Sequence, residues 1–186
     1  MNDQTVSTQE NQQTNNRNDN KRIHSANDFL QQINEAYANT NYPSAFTSSY
    51  TIMECLGERN GIDTFLVQNT RGTSYVAKCY DKSVYAPDIT QDLLHGLDHP
   101  GLPGYVDSIE NDRMIISLRE YIDGTPLDRY IIEHTLSEQE IISVCIRICD
   151  ILSYLHHQPE PIIHRDIKPQ NIIVRPDLSV VLIDFD

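Results

Sequence analysis

His164-Arg165-Asp166-Ile167-Lys168-Pro169-Gln170-Asn171 lies between the apolar runs Pro161-Ile162-Ile163 and Ile172-Ile173-Val174, and Asp184-Phe185-Asp186 follows thirteen residues after Asn171. Short apolar runs bounded by turn residues read as buried strands. Ile172-Ile173-Val174 and Val180-Val181-Leu182-Ile183 flank Arg175-Pro176-Asp177-Leu178-Ser179, which predicts a hairpin closed by that turn. A loop pinned by such strands presents an acid at Asp166, a cation at Lys168 and an amide at Asn171 toward one point. Transfer of a phosphoryl group to a hydroxyl needs a proton acceptor near the hydroxyl, positive charge on the phosphate and oxygen ligands for magnesium. Asp184 closes an apolar strand, where an unpaired carboxylate is costly. A metal or lysine partner is therefore expected for it.

The block reads H-R-D-I-K-P-x-N and resembles the catalytic loop of protein kinases. The resemblance implies that Asp166 accepts or orients the proton of the attacking hydroxyl and that Lys168 steadies the transferred phosphoryl group. It implies Asn171 as ligand of a second magnesium ion and Asp184, at the D-F-G position, as the main Mg2+ ligand. Lys168 followed by Pro169 is similar to the serine/threonine branch, of bacterial type, rather than the tyrosine branch. Asp186 stands where the family has glycine, which removes backbone freedom without removing the metal ligand. Arg165 pairs in the family with a phosphorylated activation loop, a segment that would lie beyond Asp186.

Upstream, Tyr75-Val76-Ala77-Lys78 resembles the strand whose lysine grips the ATP phosphates. Read from the residues alone, Lys78 is equally a snorkelling lysine on an edge strand. Val76 occupies the place of a small alanine over adenine. The segment Leu56-Gly57-Glu58-Arg59-Asn60-Gly61-Ile62 retains Gly57 of a Gly-rich phosphate loop, but Arg59 and Ile62 replace its other glycines. By itself it also reads as an ordinary β-turn. Aligning His99-Pro100 with the family's helix-to-L-x-H-P pattern puts Thr90 where a glutamate pairs with the lysine, with Asp88 and Asp92 each about 200° around a helix from it. The strand from Met114 to Glu120 resembles the hinge, and backbone groups of Glu120 and Ile122 are implied at the adenine edge. Arg119 stands at an apolar gatekeeper position, so its guanidinium is expected to find a carboxylate in the cleft or to reach solvent.

Ser137-Glu138-Gln139-Glu140 is a capping box opening a helix. Its apolar positions Ile141, Cys145, Ile148, Cys149, Leu152 and Leu155 predict one buried stripe. Cys145 and Cys149 lack a second pair at zinc spacing and read as packing residues. His156 and His157 suit the negative end of the helix dipole. Half of the first twenty residues are Asn or Gln, so residues 1–22 are expected to be a disordered tail and 23–49 a linker with a short amphipathic helix near 23–37. The expected fold is α+β. Residues 50–122 form a kinase-like N-lobe of antiparallel sheet plus one helix, with its hinge, and 123–186 form the first, mainly helical part of a C-lobe.

Among 186 residues with net charge −13, no signal peptide or bilayer-length apolar run occurs, which argues against nucleic-acid and anionic-membrane partners. Four unpatterned cysteines suit a reducing cytoplasm. The resemblance implies a serine/threonine protein kinase using ATP and Mg2+ on protein hydroxyls. It covers about the first half of a kinase domain, so the 186 residues alone are expected to have little activity and to need a partner or self-association to cover the helical part. Two other readings stay open. One is a nucleotide-binding pseudokinase, suggested by Thr90 and the missing glycines; the other is a small-molecule phosphotransferase sharing an H-x-D-x-x-x-x-N loop.

Overall fold

The structure, a computed structural model, describes residues 42–59, 61–84 and 95–184. The expected tail (1–22), the helix near 23–37, Asp88, Thr90, Asp92, Phe185 and Asp186 lie outside the described residues.

Five strands form one antiparallel sheet: β1 (Tyr50–Arg59), β2 (Ile62–Asn69), β3 (Ser74–Asp81), β4 (Tyr105–Glu110) and β5 (Met114–Glu120), in the order β1-β2-β3-β5-β4. The turns follow from local chemistry. Gly61 and Gly72 take φ of 80° and 82°, the left-handed region open to glycine. The Asn69 side-chain oxygen accepts hydrogen bonds from the backbone of Arg71 and Thr73, closing the β2–β3 turn.

Directly opposed residues of a ladder share a face. One face is built by Phe65, Ala77, Cys79, Ile116 and Leu118, all 4% exposed or less. The other carries Val76, Lys78, Ser117 and Arg119. The first face is sealed by α1 (Ser44–Ser49), whose Phe46 is 1% exposed. An aromatic ladder runs from Tyr42 through Phe46 and Tyr50 to Tyr75, with ring centroids 6.2, 5.6 and 5.8 Å apart. Residues 42–49, which the sequence places in a linker, thus complete the sheet's core.

Past the sheet come β6 (Thr125–Pro126), α2 (Leu127–Glu133), α3 (Glu138–His156), a 3-10 turn (Pro169–Asn171), β7 (Ile172–Val174) and β8 (Val180–Leu182). The last three strands form a small sheet in the order β6-β7-β8, and its hairpin turns at 175–179 as expected. A second core joins Leu102 to Ile151 and Leu155 of α3 and to Ile172 and Leu182 of the hairpin. Gly101 admits this packing: a Cβ there would lie 2.4 Å from Ile151 Cγ1. Its carbonyl accepts from Leu182 N at 2.9 Å, tying the approach to β4 onto β8.

The buried stripe expected on α3 is displaced. Val144, Ile151 and Leu155 are buried and Ile148 and Leu152 pack against the core, but Cys145 and Cys149 are exposed and Ile141 is 50% exposed. Apolar residues occupy more than one face of this helix, so periodicity alone does not choose which is covered.

The capping box is present: Ser137 Oγ accepts from Glu140 N at 3.3 Å, and Glu140 Oε2 accepts from Ser137 N at 2.8 Å. The backbone bond from Ser137, then its hydroxyl, hold the Glu140 carboxyl below its ordinary value. A folded pKa below the unfolded one makes this contribution complete above the unfolded value and lost as pH falls through the folded one. Ser137→Ala is expected to cost about 1 kcal/mol in urea denaturation with an unchanged m-value. An unchanged midpoint would show that the cap does not limit stability.

Candidate active site

The cleft-facing row of the sheet runs Gly57, Thr64, Lys78, Ser117, each opposed to the next. β3 is the middle strand of five, so Lys78 is not an edge-strand lysine. Its ammonium, 15% exposed, meets Asp184 Oδ1 at 2.6 Å across 106 residues of chain. The lysine partner expected for the strand-end carboxylate is found. The pair rests on two lobes: β3 supplies one charge, the end of the β7–β8 hairpin the other.

Asp184 is seated by its neighbours. Ile183 N donates to Asn171 O at 2.9 Å, while Ile183 O contacts His164 Nε2 at 3.0 Å. His164 is buried, 5% exposed, and its Nδ1 faces Asp166 N at 3.3 Å. With Nδ1 as acceptor the ring proton is assigned to Nε2, which then donates to Ile183 O. One imidazole thereby fixes both the loop holding Asp166 and the strand end holding Asp184. Of the three described non-glycine residues with left-handed φ, two are here, Arg165 at 64° and Asp184 at 66°. Such conformations persist where surrounding contacts over-determine the backbone.

Within the loop, Lys168 Nζ lies 2.6 Å from Asp166 Oδ2. Asn171, 6% exposed, donates from Nδ2 to Asp166 O at 2.9 Å and to Oδ2 at 3.1 Å. The acid, cation and amide are therefore assembled on one carboxylate. With Nδ2 so engaged, the oxygen of the Asn171 amide is the end left to face a cation. Asp184 adds a carboxylate with a side chain 47% exposed. Two oxygen donors suit Mg2+, which keeps several waters and substrate phosphates and does not demand an all-protein cage. Among the described residues no group of three or more His, Cys, Asp and Glu forms a metal cage.

Gly57 sits in β1 beside a bulge, opposite Thr64, with nothing within 4 Å of where its Cβ would be. It is not the turn residue; Gly61 is. The row it shares with Lys78 places it on the lysine's face. At the end of β5, Glu120 N donates to Gly104 O at 2.9 Å, and just beyond it Ile122 packs with Ile173, Val181 and Ile183. Arg119 Nη1 donates to the carbonyl of Pro103 at 3.5 Å. The directly opposed Tyr105 stacks on His95, centroids 4.0 Å apart. Sequence reasoning missed His164 as the element joining Asp166 to Asp184; its place between an apolar run and the acid was the available signal.

The family profile for the protein kinase domain matches residues 50–186, and the chain belongs to the protein kinase family. It is 27% identical over 144 residues to sperm motility kinase Z of Mus musculus, covering 75% of this chain and 29% of that protein. It is 38% identical over 90 residues to serine/threonine-protein kinase B of Synechocystis, covering 47% of this chain and 15% of that one. The crystal structure of Rad53 1-466 in complex with AMP-PNP is similar in fold, with a TM-score of 0.64 at 22% identity over 74% of this chain and 38% of that one. The chain thus spans less than half the length of these proteins. Among the described residues no helix is long and apolar enough to cross a membrane.

Proposed function

We propose that this chain carries the nucleotide-binding and phosphoryl-transfer residues of a serine/threonine protein kinase, which moves the γ-phosphoryl group of Mg-ATP to a protein Ser or Thr hydroxyl. The observation that carries the reading is the Lys78–Asp184 pair at 2.6 Å, held by the loop that assembles Asp166, Lys168 and Asn171. Lys78 holds nucleotide phosphates, Gly57 lets the β1 backbone approach them, and backbone groups at Glu120 and Ile122 border the adenine. Asp184 and Asn171 hold Mg2+, whose chemistry there is to neutralise charge on the transferred phosphate. Asp166 takes the hydroxyl proton, and Lys168, already beside it, follows the phosphoryl group. A net charge of −13 supports protein substrates rather than nucleic acid, and four cysteines at unpatterned positions support a cytoplasmic setting. The exposed Ile141, Ile142 and Ile146 on α3 support a further covering surface, from a partner or from a second copy.

Gly57→Val tests the nucleotide half. A Cβ at Gly57 meets nothing within 4 Å, so the fold is expected to survive. Titration with Mg-ATP is expected to show about tenfold weaker binding, because the new side chain occupies the ligand's side of the sheet. Equal affinity with an unchanged melting curve would remove Gly57 from the site.

A further inference from the structure

One side of α3 packs on Leu102 and the β7–β8 sheet through Val144, Ile151 and Leu155. Another side carries a second line of residues: Glu138, Ile142, Cys145, Cys149, Leu152 and His156. Steps of four and three residues alternate along it, the spacing of a seam between paired helices. Ile142 is 50% exposed, Cys145 and Cys149 are exposed, and Leu152 is half-buried at the edge of the core. Ile141 and Ile146, 50% and 63% exposed, flank the line. A contiguous aliphatic surface of this kind marks a contact face.

The line reads the same from either end. Counted from the level of Arg147, Cys145 and Cys149 lie two residues to either side, Ile142 and Leu152 five, and Glu138 and His156 nine. A two-fold interface requires this property, because it is built from one patch used twice. Two copies of α3 laid antiparallel with these levels matched set Ile142 against the partner's Leu152. The thiols of Cys145 and the partner's Cys149 then meet, and at each end the exposed Glu138 carboxylate faces the partner's exposed His156 imidazole. Antiparallel macrodipoles add to the attraction, positive end beside negative end. A parallel pair would set Glu138 against Glu138 and align the dipoles. We propose that a second copy of this chain covers α3 in the antiparallel sense, with Cys145 beside the partner's Cys149. The proposal rests on the exposed α3 face noted above and not on nucleotide binding, so its test and that of Gly57 fail separately.

The experiment combines sedimentation with disulfide trapping. The unaltered chain is expected to sediment as a dimer, and mild oxidation to join Cys145 to Cys149 between copies, identified by mass spectrometry of the linked peptides. A disulfide needs Cα atoms within about 7 Å. Cys149 and the partner's Cys149 are displaced by about 6 Å along the axis in addition to their lateral separation, and so are the two Cys145 residues. Cys145→Ser alone and Cys149→Ser alone are therefore expected to give no α3 link, and an equal mixture of the two to restore it. Ile142→Glu enters the interface twice, so a tenfold loss at each site predicts dimerisation about 100-fold weaker with an unchanged melting curve. The cysteine mixture decides the matter if that variant does not fold. A monomeric unaltered chain at tens of micromolar would overturn the proposal. So would a Cys145–Cys145 link in Cys149→Ser alone, the mark of a parallel pair, or a dissociation constant unmoved in a folded Ile142→Glu.

Discussion

Asp166→Asn in the full-length protein is expected to slow phosphoryl transfer by roughly 10²–10⁴-fold, the range for loss of a positioned general base. Mg-nucleotide affinity is expected to stay within about twofold, since its contacts are placed elsewhere. The substitution keeps the shape of the side chain. It removes the negative charge on which Lys168 Nζ (2.6 Å) and Asn171 Nδ2 (3.1 Å) converge. Those two contacts also orient the loop, so a structural role alone would predict lower stability with proportionate losses of binding and rate. A rate collapse with intact binding separates the two. Asp184→Asn provides the opposite pattern: Lys78 loses its 2.6 Å carboxylate partner, and nucleotide binding in magnesium falls with the rate. Turnover in Asp166→Asn within tenfold of the unaltered protein would exclude Asp166 as the base.

The elements that were legible in the sequence are those whose chemistry is local. The β7–β8 hairpin followed from two apolar runs around a Pro-Asp turn, and the α3 start from Ser137 and Glu140. The pairing of Lys78 with Asp184 was legible for another reason: each is a charge in an apolar strand, and such charges find each other or are not tolerated. What was not legible depends on which surfaces meet. α1 is six residues long and gives no period, so nothing local marks Phe46 as a core residue. On α3, Ile141, Ile142 and Ile146 are as apolar as Val144 and Ile151, and only the position of Leu102 and the β7–β8 sheet decides which are covered. Gly57 was expected in a loop because its motif is a loop motif. The bulges between Ile52 and Glu54 and between Cys55 and Gly57 shift the register that places it in the Lys78 row.

Phe46→Ala is expected to cost about 3–5 kcal/mol, the range for removing a fully buried aromatic ring. The residue is 1% exposed and packs against the face built by Phe65, Val67, Ala77 and Leu118. It also stacks on Tyr50 with centroids 5.6 Å apart. Against a total domain stability of ~5–15 kcal/mol such a loss is large. Its interest is positional: the family profile begins at residue 50, so Phe46 belongs to a segment that the family match does not cover. If α1 is part of the lobe, a polypeptide beginning at Tyr50 should show the same loss as Phe46→Ala, because both empty the same place on the sheet. Tyr42→Phe is the control, since it removes only the hydroxyl that donates to Asp63 at 3.3 Å and keeps the ring. Its expected cost is about 0.5–1.5 kcal/mol. Denaturation midpoints for the three variants, read by near-ultraviolet circular dichroism, order the effects. Equal midpoints for Phe46→Ala and the unaltered chain would mean that α1 leaves the sheet in solution, and the core of this lobe would then begin at β1.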